Sequence, residues 1–297
     1  MYKLLVLVGP TAVGKSSTAV TLAKEFNGEI INGDSIQVYR QLSIGSAKTS
    51  EEEMAGIAHH LMDYKNVTDE YSVQQFQKDG REKIEEIVKK GHLPIVSGGT
   101  GLYIKALVYD YSFTEMERSD DEYEESTTEQ LYERLKQADP KSLEKIHPNN
   151  RRRIIRALQM AESGHLKSEQ EAGQRHDMIY DCKIIGLTID REQLRERIGW
   201  RVDKMMEMGL LEEVRALKDQ YGWDNQAMKA IGYKEFREYF SGNMTLEEAV
   251  ESVKVHTRQF AKRQYTWWNN QMPVCWFDVS DPDYLKKIER EIKDWLC

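Results

Sequence analysis

Residues 9–16 read GPTAVGKS, in which a glycine is followed by four residues and then by Gly, Lys and Ser. This spacing is that of the phosphate-binding loop. Its glycines let backbone N–H groups close around phosphate oxygens, while the lysine supplies a positive charge and the serine a hydroxyl for a phosphate-bound Mg²⁺. The motif therefore predicts a polyphosphate site, but it specifies neither ATP nor hydrolysis. The predicted phosphate-binding residues are Gly9, Pro10, Thr11, Ala12, Val13, Gly14, Lys15 and Ser16.

The residues around this loop have the pattern that the motif requires. The apolar run from Lys3 to Val8 has the length and branching of a buried strand. After the loop, Ala19, Leu22, Ala23 and Phe26 recur at helical spacing. A strand, a glycine-rich turn and a helix in this order favour a phosphate loop over an ordinary glycine turn.

Two further turns are expected beside the phosphate loop. Asp34 and Ser35 follow a short strand at residues 29–31, and Thr100 follows a strand at residues 93–96 and a Gly–Gly pair. Ligands of open parallel sheets bind beyond the carboxyl ends of the strands, which brings the three turns to one edge. Asp34 is a candidate general base or metal ligand, with a turn-capping role as the alternative. Thr100 is a candidate phosphate ligand, or the N-cap of the next helix.

The order of the elements predicts an α/β fold. Strands and helices alternate through the first third of the chain, which is the pattern of a parallel sheet flanked by helices. The alternation stops near residue 114 and resumes with a strand at residues 183–189. We therefore predict a P-loop NTPase-like core domain of residues 1–113 and 179–297, with an all-helical insertion domain of residues 114–178. Later helices are predicted at residues 191–208, 210–221, 228–240, 245–268 and 284–296, with a last strand at 274–279.

The composition is that of a soluble globular protein, since 40% of the 297 residues are hydrophobic and 31% are charged. No apolar stretch has the length of a membrane span or the flanking residues of a signal peptide, so we expect a cytoplasmic protein with no membrane contact. Cys182, Cys275 and Cys297 are scattered along the chain, which favours reduced thiols over a zinc site.

The net charge of −8 argues against general nucleic-acid binding, but the charges are segregated. Residues 145–161 and 252–277 contain no acidic residue and carry several Lys and Arg side chains. On a helix, Arg258, Lys262 and Tyr265 share one face, which suits a phosphate backbone and stacked bases. Two such segments in an acidic protein favour RNA binding over two ordinary solvated helices.

Several long segments of the chain match those of a known family. They are GPTAVGKS, INGDSIQVYRQLSIGSAK, HHLMDYK, YSVQQF, PIVSGGTGLYIKAL, IHPNNRRRIIRAL, RVDKMMEMGLLEEVRAL, IGYKE and TRQFAKRQYTWW. In this order, and over nearly the whole chain, they resemble the bacterial tRNA dimethylallyltransferases, also called tRNA isopentenyltransferases. That family transfers a five-carbon prenyl group from dimethylallyl diphosphate to N6 of the adenosine 3′ of the tRNA anticodon and releases diphosphate.

The resemblance implies a role for individual residues. It makes Asp34, Thr100, Arg201 and Lys15 catalytic, with Asp34 as the base for the adenine amine. It places the diphosphate on the phosphate loop with Mg²⁺ as cofactor, for which Ser16 is the protein ligand. It also implies contact with the anticodon stem-loop of tRNA by Asp34, Ser35, Ile36, Gln37, Thr100, Arg152, Arg153, Arg156, Arg258, Gln259, Lys262, Arg263 and Gln264.

Three other functions are compatible with parts of the sequence. A phosphate loop also serves ATP-binding enzymes, so a nucleotide or small-molecule kinase is one alternative. An adenylate isopentenyltransferase would use the same donor on a free nucleotide, without needing two separated basic segments. An RNA-binding module without activity would leave Lys15 and Asp34 without a purpose. We expect the protein to act as a monomer.

Overall fold

The structure is a computed structural model that describes residues 1–113, 123–173 and 177–297. Its larger unit is built on a sheet of six parallel strands: β1 (Lys3–Val8), β2 (Gly28–Asn32), β3 (His59–His60), β4 (Leu93–Ser97), β5 (Asp181–Thr188) and β6 (Cys275–Asp278). Their order across the sheet is β3-β2-β4-β1-β5-β6. Strand β1 therefore lies at the centre, where Leu5 pairs with Ile95 of β4 and with Lys183 of β5.

Helices flank this sheet and connect its strands. Their bounds are α1 (Lys15–Glu25), α2 (Glu51–Met54), α3 (Val73–Lys89), α4 (Gly101–Val108), α5 (Thr128–Ala138), α6 (Arg151–Glu162), α7 (Lys167–Gly173), α8 (Arg191–Glu207), α9 (Leu210–Tyr221), α10 (Arg237–Phe240), α11 (Leu246–Gln271) and α12 (Tyr284–Leu296). None of the helices in the described ranges combines the length and the apolar character needed to cross a membrane.

Burial explains why the first strand lies in the middle of the sheet. All five residues from Leu4 to Val8 have no exposed surface. Successive side chains of a strand point to opposite faces, so an unbroken apolar run is stable only where both faces are covered. On one face, Leu22 of α1 and Ile288 and Ile292 of α12 belong to the same hydrophobic cluster as Leu5 and Leu7. The predicted α/β fold with a parallel sheet flanked by helices is confirmed.

The chain divides into two units, one of Met1–Val108 with Met178–Cys297 and one of Tyr109–Asp177. In its described residues the smaller unit holds α5, α6, α7 and a 3₁₀ turn at Pro140–Glu144. Its own core contains Leu131 and Leu135 of α5 against Ile154 and Leu158 of α6. The acidic loop that the sequence predicts after residue 113 lies largely outside the described residues, which resume at 123.

The predicted helix at residues 228–240 is wrong for most of its length. The structure has 3₁₀ turns at Ala227–Lys229 and Lys234–Phe236, and only α10 is α-helical. Ala230 is extended (ψ 154°) and Gly232 has a φ of +95°. Neither conformation continues a right-handed helix, so the segment forms a turn between two short pieces.

Candidate active site

The phosphate loop follows β1 and leads directly into α1. Gly9 and Gly14 have φ angles of +146° and +106°, which residues with a side chain rarely adopt. Val13 is buried in the core and anchors the tip of the loop. Ser16, in the first turn of α1, is exposed and lines a cavity. The backbone N–H groups of the loop and the N-terminus of α1 therefore face the same cavity, as phosphate binding requires.

Lys15 is held by carbonyl groups of its own loop. Its Nζ donates to the carbonyl oxygen of Pro10 at 2.7 Å and to that of Gly9 at 3.0 Å. Burial, together with the nearby Arg201, lowers the pKa of Lys15 to about 7, while Asp34 acts in the opposite direction. The amine is therefore placed where its charge is costly until an anion arrives.

Helix α8 places two guanidinium groups on the loop, one helical turn apart. Nη1 of Arg201 donates to Oγ1 of Thr11 at 3.2 Å, and Nη1 of Arg197 donates to the carbonyl oxygen of Val13 at 3.4 Å. Burial lowers the pKa of Arg201, against the effect of the carboxylates Asp34 and Glu53. Arg197 was missed by the sequence analysis, although its spacing of four residues from Arg201 puts both on one face of a helix.

Asp34 caps a turn, which is the alternative role predicted for it from the sequence. Its Oδ1 accepts a hydrogen bond from the backbone N–H of Ile36 at 2.8 Å. Its own backbone N–H donates to Oδ1 of Asn32 at 3.1 Å, and Asn32 is buried. A carboxylate has about four acceptor positions, so this single bond fixes Asp34 without using up its capacity as a base.

Thr100 joins the second and third turns of the site. Its Oγ1 accepts the backbone N–H of Ser35 at 3.2 Å and lies 3.4 Å from the Ser35 hydroxyl. The expected neighbourhood of these two turns is therefore present in the structure. The side chain of Thr100 therefore links the turn after β2 to the turn after β4.

Gln264 of α11 connects the phosphate loop to the turn after β4. Its Oε1 accepts the backbone N–H of Thr11 at 2.9 Å, and its Nε2 donates to the carbonyl oxygen of Gly99 at 2.9 Å. The side chain is only 5% exposed. Gln264 thus holds the phosphate loop by a hydrogen bond to its backbone. Its position in a cationic helix had suggested contact with tRNA instead.

Two cavities meet at these residues. The larger has a volume of about 740 Å³ and is lined by Lys15, Ser16 and Arg197, among others. The smaller, of about 290 Å³, is lined by Ser35 and Thr100 and by the segment from Lys229 to Gly232. The residues that line both are Thr11, Asp34, Ser46, Ala47, Arg201, Met205 and Phe260. Asp34 and Arg201 therefore lie where a ligand of one cavity would face a ligand of the other.

The residues predicted to contact tRNA differ in exposure. Gln259, Lys262 and Arg263 on α11 are exposed, as are Arg152 and Arg153 on α6 of the smaller unit. The remaining members are less accessible. Arg156 is half-buried, Arg258 is half-buried and bonded to Glu251 at 3.1 Å, and Gln37 donates to the carbonyl oxygens of Ser46 and Ala47.

The oxygen donors of the site suit a hard cation such as Mg²⁺. Ser16 offers a hydroxyl and Asp34 a carboxylate, and both line the larger cavity. Within the described ranges, no group of three or more His, Cys, Asp and Glu side chains is placed to hold a metal ion. Magnesium at sites of this kind is usually bound through one or two protein groups and the phosphates of the substrate.

Known proteins match this chain over nearly its whole length. The profile of the family described as IPP transferase matches residues 37–271. The chain is 49% identical over 298 residues to the tRNA dimethylallyltransferase of Anoxybacillus flavithermus, covering 99% of this chain and 96% of that protein. It is 47% identical over 302 residues to the enzyme of the same name from Bacillus licheniformis, with the same coverage.

Solved structures give the same result. The full-length tRNA isopentenylpyrophosphate transferase of Bacillus halodurans superposes with a TM-score of 0.78 at 42% identity, covering 100% of this chain and 97% of that one. A eukaryotic dimethylallyltransferase acting on tRNA superposes with a TM-score of 0.84 at 31% identity, covering 98% of this chain and 78% of that one.

Proposed function

Because the chain belongs to the IPP transferase family, and is therefore a transferase, we propose that it moves a dimethylallyl group from dimethylallyl diphosphate to N6 of the adenosine 3′ of a tRNA anticodon. One observation carries the proposal. Asp34 and Arg201 line both a cavity that includes Lys15 and Ser16 of the phosphate loop and a second cavity that includes neither of them. A donor and an acceptor bound in the two cavities would meet at these residues.

The larger cavity has the charges that a diphosphate leaving group needs. Lys15, Arg201 and Arg197 lie on or beside the phosphate loop, and backbone N–H groups at the start of α1 add to them. As the bond between the allylic carbon and the diphosphate oxygen breaks, both electrons leave with the oxygen. Donors already aimed at the growing negative charge lower the barrier to this step. A bound Mg²⁺, held by Ser16, would neutralise further charge on the phosphates.

In this proposal, Asp34 receives the proton of the acceptor amine. The lone pair of the adenine N6 amine is delocalised into the ring, which makes the amine a weak nucleophile. As N6 bonds to the allylic carbon, one N6 proton must leave, and the Asp34 carboxylate takes it. Proton transfer to a positioned base typically contributes about 10²–10⁴-fold to the rate.

The prenyl group has an apolar place between the two reacting ends. Ala47, Met205 and Phe260 line both cavities, beside Asp34 and Arg201. An allylic carbon held against these side chains would lie between the diphosphate and the amine. The same surface would exclude water, which competes with the amine for the allylic carbon.

The exposed cations suit the anticodon stem-loop. Lys262 and Arg263 lie on α11, next to Gln264, which contacts the phosphate loop. Arg152 and Arg153 are exposed on the smaller unit. We propose that both units contact tRNA. Thr100, Ser35 and Ile36 would contact the adenine base as it enters the site. The target base must leave its stack to reach Asp34, at a cost of roughly a few kcal/mol. We also propose that the protein is a monomer and that it acts in the cytoplasm, where tRNA is modified.

One assay tests the activity against its alternatives. The protein is incubated with labelled dimethylallyl diphosphate and either an unmodified tRNA or AMP, and separately with labelled ATP. We expect label in tRNA only, at one adenosine, with release of diphosphate. Transfer to AMP but not to tRNA would make the protein an adenylate isopentenyltransferase. Consumption of ATP without prenyl transfer would make it a kinase.

A further inference from the structure

The carboxylate of Glu213, on α9, accepts four hydrogen bonds. Its Oε2 receives the backbone N–H groups of Ser43 at 3.1 Å and Ile44 at 2.8 Å. Its Oε1 receives the backbone N–H of Gly45 at 3.0 Å and the hydroxyl of Tyr233 at 2.7 Å. Since a carboxylate offers about four acceptor positions, its capacity is fully used. One charged group thus holds three successive backbone amides 168 to 170 residues away in sequence.

The loop held in this way, residues 43–47, forms a wall of both cavities. Ser43 and Ile44 line the larger cavity, Gly45 lines the smaller, and Ser46 and Ala47 line both. The loop is therefore next to the point where donor and acceptor would react, although it carries no titratable side chain. Its shape, and not its chemistry, is what it contributes.

The conformation of the loop has to be imposed by its surroundings. Ala47 has a φ of +50°, in the left-handed region that alanine rarely adopts. From the side of the site, Gln37 donates to the carbonyl oxygens of Ser46 at 3.1 Å and Ala47 at 3.3 Å. Glu213 holds the opposite end of the loop. Unfavourable backbone conformations persist only where the structure around them fixes them, and they concentrate at functional sites.

Tyr233 completes the anchor by close packing. It is fully buried, and a Cβ atom on Gly45 would lie 2.6 Å from its ring. Burial and the neighbouring Glu213 raise the pKa of the Tyr233 hydroxyl, so it stays protonated and donates. Glu235 fixes the adjacent turn, because it accepts the backbone N–H of Gly232 at 2.9 Å and is bonded to Nδ1 of His256 on α11 at 2.8 Å.

These residues give a purpose to two sequence segments that had none. Glu213 lies in MGLLEEVRAL, and Tyr233 and Glu235 lie in IGYKE. We propose that Glu213 and Tyr233 are positioning residues, which fix the 43–47 loop as the common wall of the two cavities and so align the prenyl donor with the acceptor amine. The proposal rests on the proposed function for the reaction it serves, while the anchor itself can be measured without activity.

The test compares three variants of the full chain. Glu213→Gln replaces two acceptor positions by an NH₂ group that faces backbone N–H donors. Tyr233→Phe removes only the hydroxyl and keeps the ring against Gly45. Glu212→Gln is the matched control, since Glu212 is the exposed neighbour of Glu213 on the same helix.

We expect the single-turnover rate of prenyl transfer, at saturating substrates, to fall about tenfold to 100-fold in Glu213→Gln, as for a misplacement of about 1 Å. Tyr233→Phe should lie between this variant and the wild type, and Glu212→Gln should match the wild type. The dissociation constant of inorganic diphosphate should change by less than about twofold, because Glu213 makes no bond to the phosphate loop. Hydrogen exchange at the amides of Ser43, Ile44 and Gly45 should be faster in Glu213→Gln.

Several results would overturn the proposal. One is a folded Glu213→Gln protein with an unchanged rate. Another is a loss of diphosphate affinity as large as the loss of rate, which would show general damage to the site. If Glu213→Gln does not fold, an unchanged rate in Tyr233→Phe decides against it. A wild-type protein that does not modify tRNA contradicts the proposed function instead, and the hydrogen exchange of the loop then tests the anchor alone.

Discussion

The low pKa of Lys15 makes binding of the donor depend strongly on pH. The amine is buried beside Arg201, and its pKa is lowered from 10.5 to about 7. A diphosphate in the loop supplies the negative charge that the free protein lacks, so the bound state returns the pKa of Lys15 toward its ordinary value. If dimethylallyl diphosphate binds to this loop as proposed, we expect its binding to be accompanied by uptake of a proton above pH 7.

The size of the effect follows from the two pKa values. In the free protein, with a pKa of about 7, about half of the molecules carry the proton at pH 7 and about one in a thousand at pH 10. If the pKa of the bound amine returns to 10.5, the contribution of Lys15 to affinity should therefore fall by about 400-fold over this range. At pH 8, binding should take up about 0.9 proton per diphosphate.

Calorimetric titration of the protein with dimethylallyl diphosphate measures both quantities. The affinity is determined between pH 7 and pH 10, and the proton uptake from buffers of different ionisation enthalpy. Lys15→Met is the control. The ionisation of the ligand affects both proteins equally, so it cancels in the ratio of the wild-type affinity to the Lys15→Met affinity. A ratio that stays constant from pH 7 to pH 10 would refute the assignment of a depressed pKa to Lys15.

Four further outcomes are expected. Lys15→Met should raise the melting temperature at pH 7, because the pKa of Lys15 is lower in the folded protein than in the unfolded chain, so that its charge destabilises the fold. This destabilisation is complete below pH 7 and absent above pH 10.5. Asp34→Asn should retain tRNA affinity and lose about 10²–10⁴-fold in single-turnover rate, and unchanged turnover would remove Asp34 as the base. Lys262→Ala should reduce the slope of log affinity for tRNA against log salt by about 0.7 to 0.9, whereas Lys286→Ala on α12 should leave it unaltered. Phe260→Ala should increase turnover of a ten-carbon allylic diphosphate relative to the five-carbon one, and an unchanged ratio of the two rates would separate Phe260 from the prenyl group.

Local patterns in the sequence were sufficient for five of the six strands and for the phosphate loop. The run before Gly9 is apolar at every position from Leu4 to Val8, which fixes a central strand and the loop after it. The rule that ligands bind beyond the carboxyl ends of strands placed Asp34 and Thr100 at one edge, and the structure bonds their turns to each other.

Contacts between distant parts of the chain were not predictable in this way. Gln264 and its partner Thr11 are separated by 253 residues, and Glu213 and Ser43 are separated by 170. Strand β3 is two residues long and reads His–His, so it has no apolar pattern. Helix α2 did carry a signal, the capping box of Ser50 and Glu53, which the sequence analysis did not use.

The two hydrogen bonds of Gln264 link α11 to the phosphate loop and to the turn after β4. Lys262 and Arg263, which precede Gln264 on the same turn of α11, are exposed to solvent, whereas Gln264 is bonded to the backbone of Thr11 and of Gly99. If tRNA binds to Lys262 and Arg263, as we propose, it contacts the same helical turn that is bonded to the phosphate loop. Under the proposed function, a displacement of α11 by tRNA would reach the phosphate loop through the hydrogen bond between Gln264 and Thr11, and binding of one substrate would then affect binding of the other.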